Sequence, residues 1–141
     1  MQHLVFVYGT LKEDFPNYAQ NAGTRLPGLF ATVERYPLYL VGERFSPWLV
    51  NRPGEGERVT GQVFEVDALA LAAMDALERI TEADGYRRAL LVLESVLTHN
   101  GNQLLAFVYL KPAEHFVPSP ANIGPLREYT SEHATLYQRR A

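Results

Sequence analysis

The sequence contains no cysteine, and only two of its 13 basic residues are lysines. The lack of cysteine excludes disulfides, thiolate nucleophiles and cysteine-ligated zinc or iron–sulfur sites. The longest apolar runs, residues 68–74 and 104–110, are too short to cross a bilayer, and no secretory signal pattern opens the chain. With 16 acidic residues the formal net charge is −3, which lacks the basic character of a general nucleic-acid binder. We therefore expect a cytoplasmic protein that binds neither nucleic acid nor membrane.

Recognisable cofactor and nucleophile motifs are also missing. The chain has no phosphate-binding loop, no Gly-x-Gly-x-x-Gly and no Gly-x-Ser-x-Gly elbow, and none of its four serines lies in an activated context. Its four histidines are scattered without ligand spacing: His3, His99, His115 and His133. We therefore expect no metal and no cofactor, which leaves carboxylate chemistry and backbone recognition.

What is present is typical of one globular domain covering residues 1–141. Hydrophobic residues make up 47% of the chain, and no repeat or linker divides it. Short apolar runs predict strands at 4–8, 48–50, 59–66, 86–97 and 104–110. Gly61 suggests a bulge or a close backbone approach, and Asn100-Gly101 predicts a hairpin turn between the last two strands.

The best helix signal covers residues 68–80, with Asp67 as its N-cap. Its first two turns are apolar on every side, so we expect this helix to be buried. Together with the strands it predicts an α+β fold, a mixed and strongly curled or barrel-like sheet around one central buried helix. The proline-rich tail 111–141 is expected to contain a short helix near 126–139.

Glu78 is the carboxylate of interest. At helical spacing it shares a face with Leu71 and Met74, so loss of solvation would raise its pKa toward that of a general base. The alternative is that the helix emerges there and Glu78 meets solvent or an arginine, such as Arg79 or Arg88. Asp75, one turn earlier, is expected to be a second acid or a structural partner, and Glu82 to be exposed.

A second candidate feature is the turn Tyr8-Gly9-Thr10-Leu11, directly after the first strand. Such a turn can aim successive N–H groups at one point, and glycine lets a ligand approach the backbone closely. An ordinary strand-ending turn is the alternative. Tyr86 and Tyr109 could orient a ligand or simply cap backbone groups in the core, and Trp48 is expected in the core or the wall of a pocket.

In combination these residues resemble the γ-glutamylcyclotransferase superfamily, and most of all the γ-glutamylamine cyclotransferases of its AIG2-like group. The resemblance covers about residues 4–110. It rests on an ordered series of segments: 6–12, 16–17, 36–38, 42–43, 47–49, 53–54, 61–67, 74–78, 86–88 and 107–109. Met74 stands where many members have leucine, and the tail after Lys111 matches poorly, which bears on substrate choice because this region could close one side of a pocket.

The resemblance implies a cofactor-free cyclotransferase acting on a small γ-glutamyl substrate. The α-amine of a γ-glutamylamine, such as γ-glutamyl-ε-lysine, would attack its own γ-carbonyl, giving 5-oxoproline and a free amine. Glu78 matches the family's catalytic glutamate and would act as general acid and base. Residues 8–11 would hold the glutamyl group, and Tyr86 and Tyr109 are possible substrate contacts. Two alternatives remain open: turnover of free γ-glutamyl-amino acids, and a non-catalytic binding module.

Overall fold

A computed structural model of the chain describes residues 2–96 and 102–139. In chain order the elements are β1 (His3–Val7), β2 (Thr24–Arg25), β3 (Phe30–Thr32), β4 (Leu38–Val41), β5 (Ser46–Leu49), β6 (Thr60–Val66), α1 (Ala68–Leu77), β7 (Arg87–Ser95), β8 (Gln103–Leu110), β9 (Ile123–Leu126) and α2 (Ser131–Ala134).

Five strands close into a mixed barrel in the order β1-β8-β7-β3-β6, because β6 returns to pair with β1. β1 is antiparallel to β6 along its whole length, from His3 opposite Val66 to Val7 opposite Gln62. On its other edge it runs parallel to β8, with Val5 opposite Phe107. The α+β class and the barrel-like sheet expected from the sequence are thereby confirmed.

Alternate residues of β1 are buried on its two faces. Val5 and Val7 pack with the cluster under α1, whereas Phe6 and the following Tyr8 belong to the larger core cluster. At Gly61 on the neighbouring β6, a Cβ atom would lie 2.5 Å from the carbonyl oxygen of Val7. The expected close backbone approach is therefore present, and it lets β6 lie tightly against β1.

A second, three-stranded sheet has the order β5-β4-β9 and covers one side of the barrel. Leu38, Leu40 and Leu49 are completely buried and join the larger core cluster. The turn between β4 and β5 is closed by a hydrogen bond from the N–H of Phe45 to the carbonyl of Gly42 at 3.1 Å. Gly42 has a φ of 77°, a conformation that glycine adopts without steric cost.

The expectation of one central, largely buried helix is wrong. α1 buries only Ala70, Leu71 and Met74, and Leu69 is 84% exposed. The helix lies on the outside of the barrel with a narrow apolar stripe against it. The exposed apolar residues of α1 are mostly alanines, which are frequent in helices because of their helix propensity and do not require burial.

α1 begins as predicted and ends earlier than predicted. The side chain of Asp67 accepts a hydrogen bond from the N–H of Ala70 at 2.8 Å, which confirms the N-cap. At the other end Arg79 has a φ of 56°, and the N–H groups of Arg79 and Ile80 donate to the carbonyls of Ala76 and Asp75. This is the Schellman arrangement, with arginine at the position where glycine is usual.

Two further sequence predictions concern the C-terminal half. β7 and β8 pair antiparallel, as a hairpin requires, with Arg87 opposite Leu110 at one end and Glu94 opposite Gln103 at the other. The predicted turn at residues 100–101 lies outside the described residues. The predicted helix at 126–139 is shortened to Ser131–Ala134, because Leu126 ends β9 and the side chains of Thr130 and His133 form a capping box.

Candidate active site

A cavity of about 1140 Å³ opens beside the C-terminal end of β1. Its wall is built from five parts of the chain: β1 with the segment after it, the β4–β5 hairpin, the end of α1 with the loop that follows, the end of β8 with the residues after it, and the C-terminal segment. All seven residues predicted for the site line this cavity, namely Tyr8, Gly9, Thr10, Leu11, Glu78, Tyr86 and Tyr109. The fold therefore brings together side chains that are far apart in the sequence.

The turn after β1 is fixed by its own hydrogen bonds. The N–H of Lys12 donates to the carbonyl of Gly9 at 3.1 Å, and the amide Nδ2 of Asn17 donates to the hydroxyl of Thr10 at 2.8 Å. In the part of the chain that the structure describes, the N–H groups of Thr10 and Leu11 donate to no acceptor. Two backbone donors on the cavity wall are therefore available to a bound carboxylate.

Gly9 packs directly against the β4–β5 hairpin. A Cβ atom at this position would lie 2.7 Å from Cγ of Pro47, which is too close without movement of one of the two segments. Only glycine lets the turn and the hairpin approach this closely, so the width of the cavity between them depends on residue 9.

Glu78 is the C-cap of α1, and its side chain lies partly buried in the cavity. Burial raises the pKa of its carboxyl from 4.5 to about 7, because water that would solvate the anion is excluded; the positive charge of Lys111 acts in the opposite direction. Arg79 forms an ion pair with Asp84 at 2.9 Å, and Arg88 forms one with Asp75 at 2.5 Å. Neither arginine therefore pairs with Glu78, whose side chain is intermediate between buried and exposed.

Three tyrosines form an aromatic wall around this carboxyl, and each hydroxyl already donates to the protein. Tyr8 donates to the carbonyl of Tyr109 at 2.7 Å, Tyr86 to the carbonyl of Pro47 at 2.8 Å, and Tyr109 to a carboxylate oxygen of Asp75 at 2.7 Å. Burial raises the pKa of all three phenols, so they remain protonated. Their rings shape the cavity, while their hydroxyl protons hold the wall together.

Of the two roles expected for Asp75, a second acid or a structural partner, its contacts fit the structural one. One of its carboxylate oxygens accepts from Tyr109 and the other from Arg88, which lies opposite Tyr109 in the β7–β8 pairing. This network ties the end of α1 to the sheet. Glu82 is exposed, as expected.

Sequence reasoning missed several residues of the cavity wall, above all Lys111. Its ammonium lies 4.4 Å from the ring centre of Trp48 and 4.6 Å from that of Tyr86, and donates to the carbonyl of Asp84 at 2.5 Å. A signal for it existed, because Lys111 follows Tyr109 by two residues and strand alternation places both on one face. Trp48 does line the cavity.

The C-terminal segment closes another side. Tyr137 and Arg139 line the cavity, and the hydroxyl of Tyr137 accepts from Nδ2 of Asn17 at 3.2 Å. Arg139 donates to the carbonyl of Pro16. The tail that matched the family pattern poorly is therefore part of the site, and no local sequence signal indicates this, since the contacts are long-range.

Among the described residues, no group of three or more His, Asp or Glu side chains is arranged to hold a metal ion. Neither helix of the described chain has the length and apolar character needed to cross a lipid bilayer. The cytoplasmic location stays a prediction.

Comparison with known protein families gives a match across most of the chain. Residues 5–130 match the family described as "Gamma-glutamyl cyclotransferase, AIG2-like". The chain belongs to this family. The matched range includes every predicted site residue of this AIG2-like chain, from Tyr8 to Tyr109.

Similar proteins agree with the family assignment. Gamma-glutamylaminecyclotransferase B of Danio rerio is 43% identical over 115 residues, covering 77% of this chain and 59% of the relative. Gamma-glutamylaminecyclotransferase of Bos taurus is 34% identical, covering 96% of this chain and 82% of the relative. The chain thus spans somewhat more than half of the first relative's length and most of the second's.

The AIG2-like fold is also found in solved structures. The crystal structure of an AIG2-like protein from Mus musculus superposes with a TM-score of 0.80 at 32% identity, covering 99% of this chain and 97% of the other. The superposition extends over nearly the whole of both chains, so that protein shares the fold described above.

Proposed function

We propose that this chain is a cofactor-independent cyclotransferase that converts a γ-glutamylamine, such as γ-glutamyl-ε-lysine, into 5-oxoproline and the free amine. The observation that carries the proposal is Glu78, a carboxyl with a pKa raised to about 7 beside two unused backbone donors in one cavity. The names of the relatives from Danio rerio and Bos taurus support the amine branch of the family.

The reaction begins with the substrate's own nucleophile. The α-ammonium group of the substrate is protonated at neutral pH and inert until it loses a proton. A carboxylate with a pKa of about 7 accepts that proton more readily than a carboxylate with an ordinary pKa of 4.5, because it is the stronger base. The raised pKa of Glu78 is therefore suited to this step.

The free amine then attacks the γ-carbonyl carbon of the same molecule. The new C–N bond closes the five-membered ring of 5-oxoproline, and the original amide C–N bond breaks. The proton held by Glu78 passes to the leaving nitrogen. The attacking nitrogen gives up a second proton as the lactam forms, and the departing amine takes it up and leaves as an ammonium ion. Glu78 thus returns to its starting state and no water is consumed. Atoms and charge balance without a metal or a redox partner.

The substrate must be folded for this attack, and the turn after β1 is placed to fold it. The N–H groups of Thr10 and Leu11 would bind the α-carboxylate of the glutamyl group, while the rings of Tyr8, Tyr86 and Tyr109 would limit its movement. Holding the two reacting atoms near contact lowers the barrier of such an intramolecular reaction by several kcal/mol.

Release of 5-oxoproline tests the proposal. The purified chain is incubated with γ-glutamyl-ε-lysine, a γ-glutamyl-alkylamine and γ-glutamyl-alanine, and 5-oxoproline is quantified. Turnover of the first two is the expected result. Turnover of γ-glutamyl-alanine alone would favour a cyclotransferase for free γ-glutamyl-amino acids, and binding of all three without product would favour a non-catalytic module.

A further inference from the structure

Arg44 is a cation of the cavity wall that the reaction above does not use. It lies in the turn between β4 and β5, is half-buried and lines the cavity. Within residues 2–96 and 102–139 its guanidinium has no hydrogen-bond or ion-pair partner. Two other arginines of the wall are engaged, Arg79 by Asp84 and Arg139 by the carbonyl of Pro16.

The backbone holds Arg44 in place without any ligand. The next residue, Phe45, packs against the larger core cluster, and its N–H closes the turn onto Gly42. From the opposite side the N–H of Gln138 donates to the carbonyl of Arg44 at 3.0 Å. Arg44 is therefore presented by a turn that is anchored on both sides.

Tyr86 connects Glu78 to the β4–β5 hairpin that carries Arg44. Its N–H donates to the carbonyl of Glu78 at 3.0 Å, and its hydroxyl donates to the carbonyl of Pro47, three residues after Arg44, at 2.8 Å. A substrate whose glutamyl group rests on residues 8–11 would extend its amine portion past Tyr86 toward the β4–β5 turn.

A guanidinium at this end of a cavity matches one chemical group well. Its planar fork binds a carboxylate through two parallel hydrogen bonds, which is stronger and more directional than contact with a neutral group. Glu43 lines the same end and forms no ion pair with Arg44. Charges of both signs side by side suit an amino-acid head group, which carries an ammonium and a carboxylate.

We infer that Arg44 is a specificity-determining residue that binds a carboxylate on the leaving-amine portion of the substrate. The preferred leaving amine is then the side-chain amine of an amino acid rather than a simple alkylamine. This inference rests on the proposed function, and it adds the residue that selects among γ-glutamylamines.

The test removes the carboxylate charge and nothing else. γ-Glutamyl-ε-lysine is compared with γ-glutamyl-ε-lysinamide, which has the same scissile bond and a neutral amide in place of the carboxylate. We expect the wild type to prefer the acid roughly 10- to 100-fold in kcat/KM, the range of one charge-assisted hydrogen bond. Arg44→Gln should lower this ratio to about one, and Arg44→Lys should keep part of it.

The amide substrate serves as an internal control. Arg44→Gln should still turn over the lysinamide compound, and a circular-dichroism spectrum matching that of the wild type shows that the variant is folded. Arg35→Gln removes an exposed cation that does not line the cavity and should leave the ratio unchanged. Equal turnover of acid and amide by the wild type, survival of the preference in Arg44→Gln, or loss of amide turnover in that variant overturns the inference. Absence of 5-oxoproline from both compounds with the wild type overturns the proposed function itself.

Discussion

The backbone N–H of Tyr86 donates to the backbone carbonyl of Glu78 at 3.0 Å. This bond closes the loop of residues 79–85 and joins the end of α1 to the start of β7. Glu78 is thus held on the helix side by the Schellman arrangement and on the sheet side by Tyr86. A carboxyl that must meet one nitrogen of a small substrate gains precision from being fixed by backbone on both sides.

Glu78→Gln should abolish turnover while the fold is kept. General acid–base groups contribute about 10²- to 10⁴-fold, so we expect kcat to fall by that factor in the release of 5-oxoproline. Glu82→Gln is the matched control, because Glu82 is an exposed glutamate four residues further on. Wild-type turnover by Glu78→Gln would contradict the mechanism.

The same substitution should alter stability in a direction set by the pKa. The carboxyl of Glu78 has a folded-state pKa raised from 4.5 to about 7, so its protonated form favours the fold. Its contribution to stability is complete below pH 4.5 and is lost as the pH rises through 7. In urea titrations the wild type should therefore lose free energy of unfolding relative to Glu78→Gln across this window. If the free energy of unfolding changes with pH equally in the wild type and in Glu78→Gln, the carboxyl of Glu78 is not buried.

The pH dependence of activity should report the same group and its neighbour Lys111. kcat/KM should rise with pH around a midpoint of about 7, as Glu78 ionises. Because the charge of Lys111 lowers the pKa of Glu78, Lys111→Met should move this midpoint to higher pH. Arg35→Gln removes a charge from the surface and should leave the midpoint unchanged. If the midpoint is the same in Lys111→Met and in the wild type, Lys111 does not lower the pKa of Glu78.

Gly9→Ala should impair the site through its contact with Pro47. The added Cβ would meet Cγ of Pro47 at 2.7 Å, so the turn or the hairpin must move, and we expect kcat/KM to fall at least roughly 10-fold. Pro47→Ala removes the obstructing Cγ and should restore part of the activity in the double variant. A double-mutant cycle measures this coupling, and additive effects would show that the clash is not the cause.

Asp75→Ala should destabilise the fold, because it leaves the hydroxyl of Tyr109 and the guanidinium of Arg88 without their shared partner. We expect a loss of about 1–3 kcal/mol in urea unfolding. The control is Asp84→Ala, which breaks an ion pair whose aspartate side chain is 65% exposed and should cost far less, because solvent screens such a pair. Equal losses in the two variants would place Asp75 outside the structural network.

The sequence predicts the parts of the site that follow a regular element directly. Residues 8–11 come after a strand and Glu78 comes at the end of a helix, so local periodicity places both. Arg44 and Tyr137 reach the same cavity through the pairing of β4 with β9 and the bond between Arg44 and Gln138, which are tertiary contacts without a local pattern. The burial of α1 was mispredicted because alanine scores as apolar yet tolerates exposure.

Some residues of the cavity wall belong to the barrel and others to the smaller sheet and the C-terminal segment. Tyr8, Glu78 and Tyr109 sit on or next to the closed barrel, where a change of backbone would disturb strands paired on both edges. Arg44 sits on a hairpin of the smaller sheet, and Tyr137 lies beyond α2 near the end of the chain. If Arg44 selects the amine as proposed, we expect exchange of residues 42–45 and 130–139 between relatives to change the preferred amine and to leave the chemistry intact. Selectivity could then evolve separately from catalysis on a barrel that stays the same.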